Sequence, residues 1–479
     1  MEEAKRGVKL SMFTDGDLQK VHDLSMKLLM ENGIQFPSEM ALALFRKNGF
    51  RIDGQQVYMT EKQVRTALET CPSHFMFRGR NPERNLDIGG GDMGIPGPIG
   101  PTKVYSLDHG RRDGTLKDVE NLCKIYQASP VMTMNSNNGV EALDIPVETG
   151  HLEIMRAVLR HTDKPFYTKL FDYKAMHEAI DMTEIVVGEK LERGSNVYIG
   201  PGSCPSLSPM AFGTEVCEDI IALAERGQLV TIGSATSTGV TGPYFEYGLL
   251  VMQNAEILAG VVLAQLVNPG NPVGYGTGAV TGNLRNATYC SGSPARVFLQ
   301  LGSLELGKRM YNLPARVLTF GTESVNVDVQ CGIECYEGSM ANMLGGGDYM
   351  LSEIGTLESL MTTSYEKTIL DEEVAARLLL LRNGMNISDM AASVETILRV
   401  GSCGTFLTEL DTRKNCRKAW EPTYTQWDSG VQKRPVEELD YVLKRANAEW
   451  KRRLEEAPET MLDEGTEEAL ADYIKTHTK

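Results

Sequence analysis

Most patterns that would place a chain of 479 residues at a glance are missing from this one. Its longest apolar run, Ala255–Val267, falls short of the ~18–20 uninterrupted residues a membrane-spanning helix requires, so it reads as a buried helix. The N-terminus, MEEAKRGVKL, lacks the apolar core of a secretory signal, and a cytoplasmic protein is expected. Basic charge is in deficit: 48 Lys and Arg stand against 64 Asp and Glu, a formal net charge of −16. A nucleic-acid duplex would be repelled, which argues against that class of partner. The seven histidines are scattered, and no HxxxH, GxSxG or P-loop pattern occurs. Nine cysteines lie at 71, 123, 204, 217, 290, 331, 335, 403 and 416, with no CxxC among them. An odd number at scattered spacings reads as plain thiols in a reducing compartment, and no metal site is expected.

What remains is an ordinary globular composition, 42% hydrophobic and 23% charged. Helical spacing of Leu18, Val21, Leu24, Leu28 and Leu29 predicts a helix over 13–34, opened by Thr14 and Asp17 as a capping box. Further helices are expected over 38–48 and 60–70, with a short strand pair at 50–59 between them. The glycine- and proline-dense stretch 81–103 reads as a loop.

From about residue 117 the pattern becomes a regular alternation. Strand-like runs occur at Val131–Asn135, Pro165–Leu170, Asn196–Gly200, Leu229–Ser234, Pro272–Gly276, Ala315–Gly321 and Asp348–Glu353. Helical stretches at 148–162, 173–188, 212–227, 247–268, 293–312 and 333–344 separate them. Such βα repetition implies parallel strands with helical crossovers. An eighth strand is placed near Gly401–Leu407. The fold expected is α/β: a TIM (β/α)8 barrel, which needs about 250 residues, with an N-terminal α+β extension and a C-terminal helical tail. An open doubly wound sheet is disfavoured because no GxGxxG opens a helix after the first strand. The domain limits are 1–116, 117–434 and 435–479, the tail docked through Trp450 and Leu454.

Four places stand out as chemistry. The strand Arg316–Phe320 runs into a polar loop, Thr322–Gln330, and polar groups at a strand end are where α/β enzymes act. Arg316, second in its strand, either holds a ligand carboxylate bidentately or pairs structurally with Glu323 or Asp328. The loop Gly239–Gly248 crowds Tyr244, Phe245 and Tyr247 around Glu246, a set suited to a quaternary ammonium or, equally, to plugging a barrel mouth. Tyr275 at a strand end, and Tyr105 behind the glycine-rich loop 88–102, are further aromatic candidates.

Several stretches resemble the trimethylamine–corrinoid methyltransferase superfamily, in its branch without pyrrolysine. They are GHLEIMRAVLRHTDKPF (150–166), GVTGPYFEYGLLVMQNAEILAGVVLAQLVNPGNPVGYG (239–276), SGSPARVFLQLGSLELGKRMYNLPAR (291–316) and VDVQCGIECYEGSMANML (327–344). The resemblance covers essentially the whole chain and implies a TIM barrel. In the trimethylamine enzymes pyrrolysine follows an Asp-x-Gln-x-Gly pattern and precedes a Glu. Here Asp328, Gln330 and Gly332 keep the pattern, Glu334 keeps the acid, and Ile333 occupies the pyrrolysine position. Ile forms no adduct with an amine, which implies a substrate already activated as a quaternary amine. The resemblance further implies a methyl acceptor, Co(I) of a corrinoid on a partner protein, because this chain has no DxHxxG cobalamin-ligand motif.

The expectation is therefore methyl transfer from a betaine (glycine betaine, proline betaine, carnitine or γ-butyrobetaine) to that corrinoid. Glu334, Asp328 and Gln330 are assigned to the cobalt-facing mouth and Arg316 to the carboxylate. Tyr244, Phe245, Tyr247, Tyr275, Tyr105 and Glu246 are assigned to the ammonium. No cofactor is expected to be bound by the chain itself, and a homo-oligomer is expected. A betaine-binding barrel without transfer, or transfer from another methylated amine, is the alternative.

Overall fold

The computed structural model describes residues 5–388, 390–425 and 441–478. The alternation expected from residue 117 is present. Seven parallel strands carry it: β1 Asn135–Ser136, β2 Phe166–Thr168, β3 Ile199–Pro201, β4 Val230–Ser234, β5 Val273–Thr277, β6 Ala315–Thr319 and β7 Tyr349–Ser352. Each lies inside or within a residue of its expected run. Cys204–Pro205 continues the line of β3 after Gly202 and Ser203 and pairs with β4. The strands are grouped as a three-stranded sheet, β1–β2–β3, and a five-stranded one running from Cys204–Pro205 through β4, β5 and β6 to β7.

The two free edges face the segment Met93–Pro96. Gly94 bridges Tyr349 in parallel and donates its N–H to the Asp348 carbonyl at 2.9 Å. On the other side Met134 donates to the Ile95 carbonyl at 3.1 Å. A bridging segment this short, inside a glycine- and proline-rich run, has no alternation to betray it. Residues 401–407, where an eighth strand was expected, form no strand and are exposed. They carry only two bulky apolar residues, Phe406 and Leu407, and no neighbouring strand reaches them.

Helices pack outside the strands: α1 Asp15–Glu31, α2 Gly150–His161, α3 Tyr173–Val187, α4 Thr214–Glu225, α5 Glu246–Val267, α6 Arg296–Glu305, α7 Val329–Gly345 and α8 Tyr365–Asn383. The capping box of Thr14 and Asp17 opens α1 as the sequence indicates. α1 lies on α5, where Ser25 donates to the Val251 carbonyl at 2.8 Å. By length and hydropathy α5 is the one helix among the described residues that could cross a membrane, and it is 94% buried inside the protein. Its burial on all sides explains why it lacks a polar face. An arm follows α8, containing α9 Met390–Val400, and the chain then reaches α10 Tyr441–Glu456 and α11 Glu464–His477. Trp450 of α10 is buried and donates its indole N–H to Glu366 at 3.0 Å, so the tail is docked at that residue.

Candidate active site

Strand alternation decides which side chains enter the space between the strands. In β6 the register sets Arg316 beside Gly276 of β5 and Tyr349 of β7. Arg316 points inward and is 0% exposed. A Cβ at Gly276 would lie 2.8 Å from its Cζ, so only glycine lets the guanidinium lie there. Around it stand Tyr167 of β2, Tyr349 of β7, Cys204 and Tyr289. Tyr167 and Tyr349 meet edge-on, ring centroids 6.4 Å apart, and their hydroxyls are anchored to the Met350 carbonyl and to Thr231.

Among the described residues the guanidinium has no counterpart. Nε, Nη1 and Nη2 of Arg316 are all buried and all lack a hydrogen-bond partner. Burial pulls its pKa below the ordinary value. Leaving a charged fork buried and unpaired costs several kcal/mol, so the position calls for an anion. Neither carboxylate offered as a structural partner supplies it. Glu323 accepts from the backbone N–H of Ser291 at 2.7 Å and of Gly292 at 3.3 Å. Asp328 caps α7, accepting from Cys331 N–H at 2.9 Å and from the Ser324 hydroxyl at 2.9 Å.

A second orphan of opposite sign closes β7. By alternation Tyr349, Leu351 and Glu353 face the same way, so Glu353 stands about 13 Å further along the strand direction than Tyr349. Glu353 is 0% exposed and neither carboxylate oxygen has a partner. Burial lifts its pKa to about 8, against the pull of Arg296 and Lys367. Gly321 leaves the space in which the Glu353 carboxylate and Arg296 Nη1 face each other. Arg296 Nη2 is occupied by the carbonyls of Glu334 at 2.8 Å and Gly321 at 3.2 Å, while its Nη1 is free of partners. Sequence reading included Glu353 in its strand without singling it out. Counting inward positions from Arg316 and its neighbour strand is the signal that would have found it.

The residues expected at the mouth are brought together. Glu334 accepts from the Thr322 hydroxyl at 2.6 Å, from Glu323 N–H at 2.9 Å and from the Gln330 amide at 3.1 Å. With Asp328 at the helix cap, these contacts fix the β6–α7 loop. Ile333 does not face Arg316. It is 62% exposed and lines an apolar groove of about 790 Å³ with Tyr336 and Met340 of α7 and Leu370 and Val374 of α8.

The expected aromatic cage is not assembled. Tyr244, Phe245 and Tyr247 are exposed, Phe245 at 73%; Tyr244 and Phe245 lie in the loop that enters α5, and Glu246 and Tyr247 form the start of that helix. Tyr244 and Phe245 contact each other edge-on at 5.3 Å. Tyr275 is buried but points outward: it donates to Asn254 of α5 at 2.8 Å and packs on Tyr311. Its neighbours in β5, Gly274 and Gly276, hold the inward positions. Tyr105 is half-buried in a separate antiparallel pairing with Arg111. The aromatics beside Arg316 are instead Tyr167, Tyr349 and Tyr289; the first two carried no sequence signal beyond strand position, and Tyr289 lay in no expected element.

The arrangement thus offers an unpaired buried cation, tyrosine rings beside it and, further along the strand direction, an unpaired buried acid, groups of the kinds that complement a zwitterion. Comparison with known proteins agrees in kind. The family described as Trimethylamine methyltransferase (MTTB) matches residues 3–479. The chain is 33% identical to a "Glycine betaine methyltransferase" of Desulfitobacterium hafniense (strain Y51), over 98% of each chain. It is 31% identical to a "Proline betaine:corrinoid methyltransferase" of Eubacterium limosum, over 91% of this chain and 92% of that one. An "L-carnitine:corrinoid methyltransferase" of the same organism is 28% identical, over 94% and 95%.

Proposed function

This chain belongs to the trimethylamine methyltransferase family, in its branch without pyrrolysine, and from that premise we propose that it moves a methyl group from a betaine to the corrinoid of a separate protein. The observation that carries the betaine is Arg316, a fully buried guanidinium with three unpartnered nitrogens. A carboxylate placed there gains two charge-assisted hydrogen bonds in a fixed plane. The ammonium end then lies toward Glu353, with tyrosine faces beside it.

The partner's corrinoid supplies a Co(I) electron pair to the methyl carbon. The methyl–nitrogen bond breaks toward nitrogen, which leaves as a neutral tertiary amine, so no general acid is required. The protein's contribution is position and dryness. Arg316 fixes one end of the substrate, so one N-methyl is presented toward the strand C-termini, and a held geometry removes entropy from the barrier. The ammonium charge disperses in the displacement, so excluding water favours the transition state. Glu353 therefore contributes to substrate binding and not to the rate of transfer. Glu334, Gln330 and Asp328 act through the loop they hold, as positioning residues.

The same reading favours one closed (β/α)8 barrel, with residues 94–95 as the eighth stave lent from the segment 1–116 to the barrel of 117–434, and 435–479 as an appended tail. The test of function is methylation of a Co(I) corrinoid protein, followed by absorbance, with glycine betaine, proline betaine, carnitine and γ-butyrobetaine in turn. At least one is expected to support turnover. Binding of a betaine without transfer to any carrier would leave a binding protein, and no response to any quaternary amine would remove the betaine altogether.

A further inference from the structure

We propose that residues 387–419 form an arm that packs against a second copy of this chain, at the end of the fold opposite the Arg316 site. No described residue of this stretch is buried. Its helix α9 nonetheless carries an apolar stripe, Met390, Val394, Ile397 and Leu398, at the spacing of one helix face. Leu398 is 75% exposed, and Leu407 beyond the helix is 79% exposed. A helix of 11 residues has no stability of its own in water, where about 12–15 residues are marginal even for favourable sequences. The stripe needs a partner surface.

Position identifies the partner. The arm leaves the body through Met385–Asn386, paired with Lys5–Arg6. Just before it, Arg382 donates to the carbonyls of Met343 at 3.1 Å and Gly347 at 2.7 Å, which precede β7. This is the N-terminal end of the strands. A corrinoid protein has to reach the C-terminal end, where Glu353 and the β6–α7 loop lie. At the arm's root the body exposes Val8, Leu380, Leu381 and Met385, a second apolar patch beside the first. Two copies related by a two-fold axis near the root would lay each arm across the other's patch, a self-complementary contact.

Charge points the same way. The far part of the arm carries Arg413, Lys414, Arg417 and Lys418 within six residues, on a chain whose net charge is −16. A second copy is therefore an acidic surface for this basic end. The Arg399–Glu409 ion pair ties α9 to the turn that follows it.

Sedimentation velocity on the full chain tests this, together with amide hydrogen exchange across α9. The wild type should sediment as a dimer or a closed multiple, with α9 protected. The double variant Val394→Asp/Leu398→Asp should weaken association at least about 100-fold, since two carboxylates would be buried in the contact, and leave α9 exchanging freely with the melting temperature of the body retained. If that variant fails to fold, Lys414→Glu/Arg417→Glu should loosen the assembly on surface charge alone. A monomeric wild type, an assembled double variant, or α9 protection that appears only when a corrinoid protein is added would each overturn the proposal.

Discussion

The strand Ala315–Thr319 and the loop Gly239–Gly248 both offer groups that suit a zwitterion, and the fold treats them oppositely. The loop looks richer by composition, with three aromatics and a carboxylate within four residues, yet Tyr244, Phe245 and Tyr247 project into solvent. The strand offers one arginine, and that arginine is sealed inside without a partner. Crowding of suitable residues in sequence says little about convergence. Strand parity and burial say much more, because they decide which side chains share one enclosed space.

The contrast breaks first at Arg316. Arg316→Ala should lower kcat/KM for a carboxylated quaternary amine by about 100-fold or more, the loss expected when one member of a buried charge pair is removed. It should have far less effect on a substrate such as choline, which lacks the carboxylate. Equal losses on both would take the carboxylate role from Arg316.

Glu353→Gln comes next. The carboxyl is neutral below about 8 in the free protein, against an ordinary value of 4.5. The folded state therefore holds a proton that the unfolded state releases, and stability from this group falls as pH rises from about 5 to about 8. The wild type should lose unfolding free energy over that window, and Glu353→Gln should lose less, by an amount on the order of a few kcal/mol in denaturant titrations. Asp219, also lifted to about 8 by burial, contributes a similar slope to both proteins and cancels in the comparison. Substrate binding should draw the Glu353 proton off, so wild-type kcat/KM should rise toward pH 8 and the variant's should not.

A smaller effect is expected from Tyr289→Leu. Loss of one ring beside the ammonium should weaken binding by about 30-fold at most, the worth of a desolvated cation–π contact of ~2 kcal/mol. At the bottom of the scale, Phe245→Ala should leave kcat/KM within about twofold and stability within about 0.5 kcal/mol, as an exposed substitution does. A large loss there would restore the loop to the site.

Much of this was legible beforehand. The seven strand positions, the helices between them and the cap at Thr14 follow from apolar periodicity and capping chemistry, which are local. Arg316 was legible for the same reason: a charge inside an apolar strand has few bland explanations. The bridging segment Gly94–Ile95 was not, because two residues in a Gly/Pro run have no period, and the partners of Ile95 and Gly94, Met134 and Tyr349, are 39 and 255 residues away. Glu353 escaped because one acid at a strand end looks like the start of a loop until its parity with Tyr349, the register partner of Arg316, is known. Tyr275 was misassigned by one step of parity, which turns a strand residue from the interior to the helix layer.

The most direct measurement is calorimetric titration of the purified chain with the four betaines and with choline, on wild type and on Arg316→Lys. The lysine keeps the charge and loses the planar fork. At least one betaine should bind the wild type and choline should bind weakly or not at all, with betaine affinity falling at least about tenfold in the variant. Betaine affinity unchanged by Arg316→Lys and Arg316→Ala alike would contradict the account at its centre.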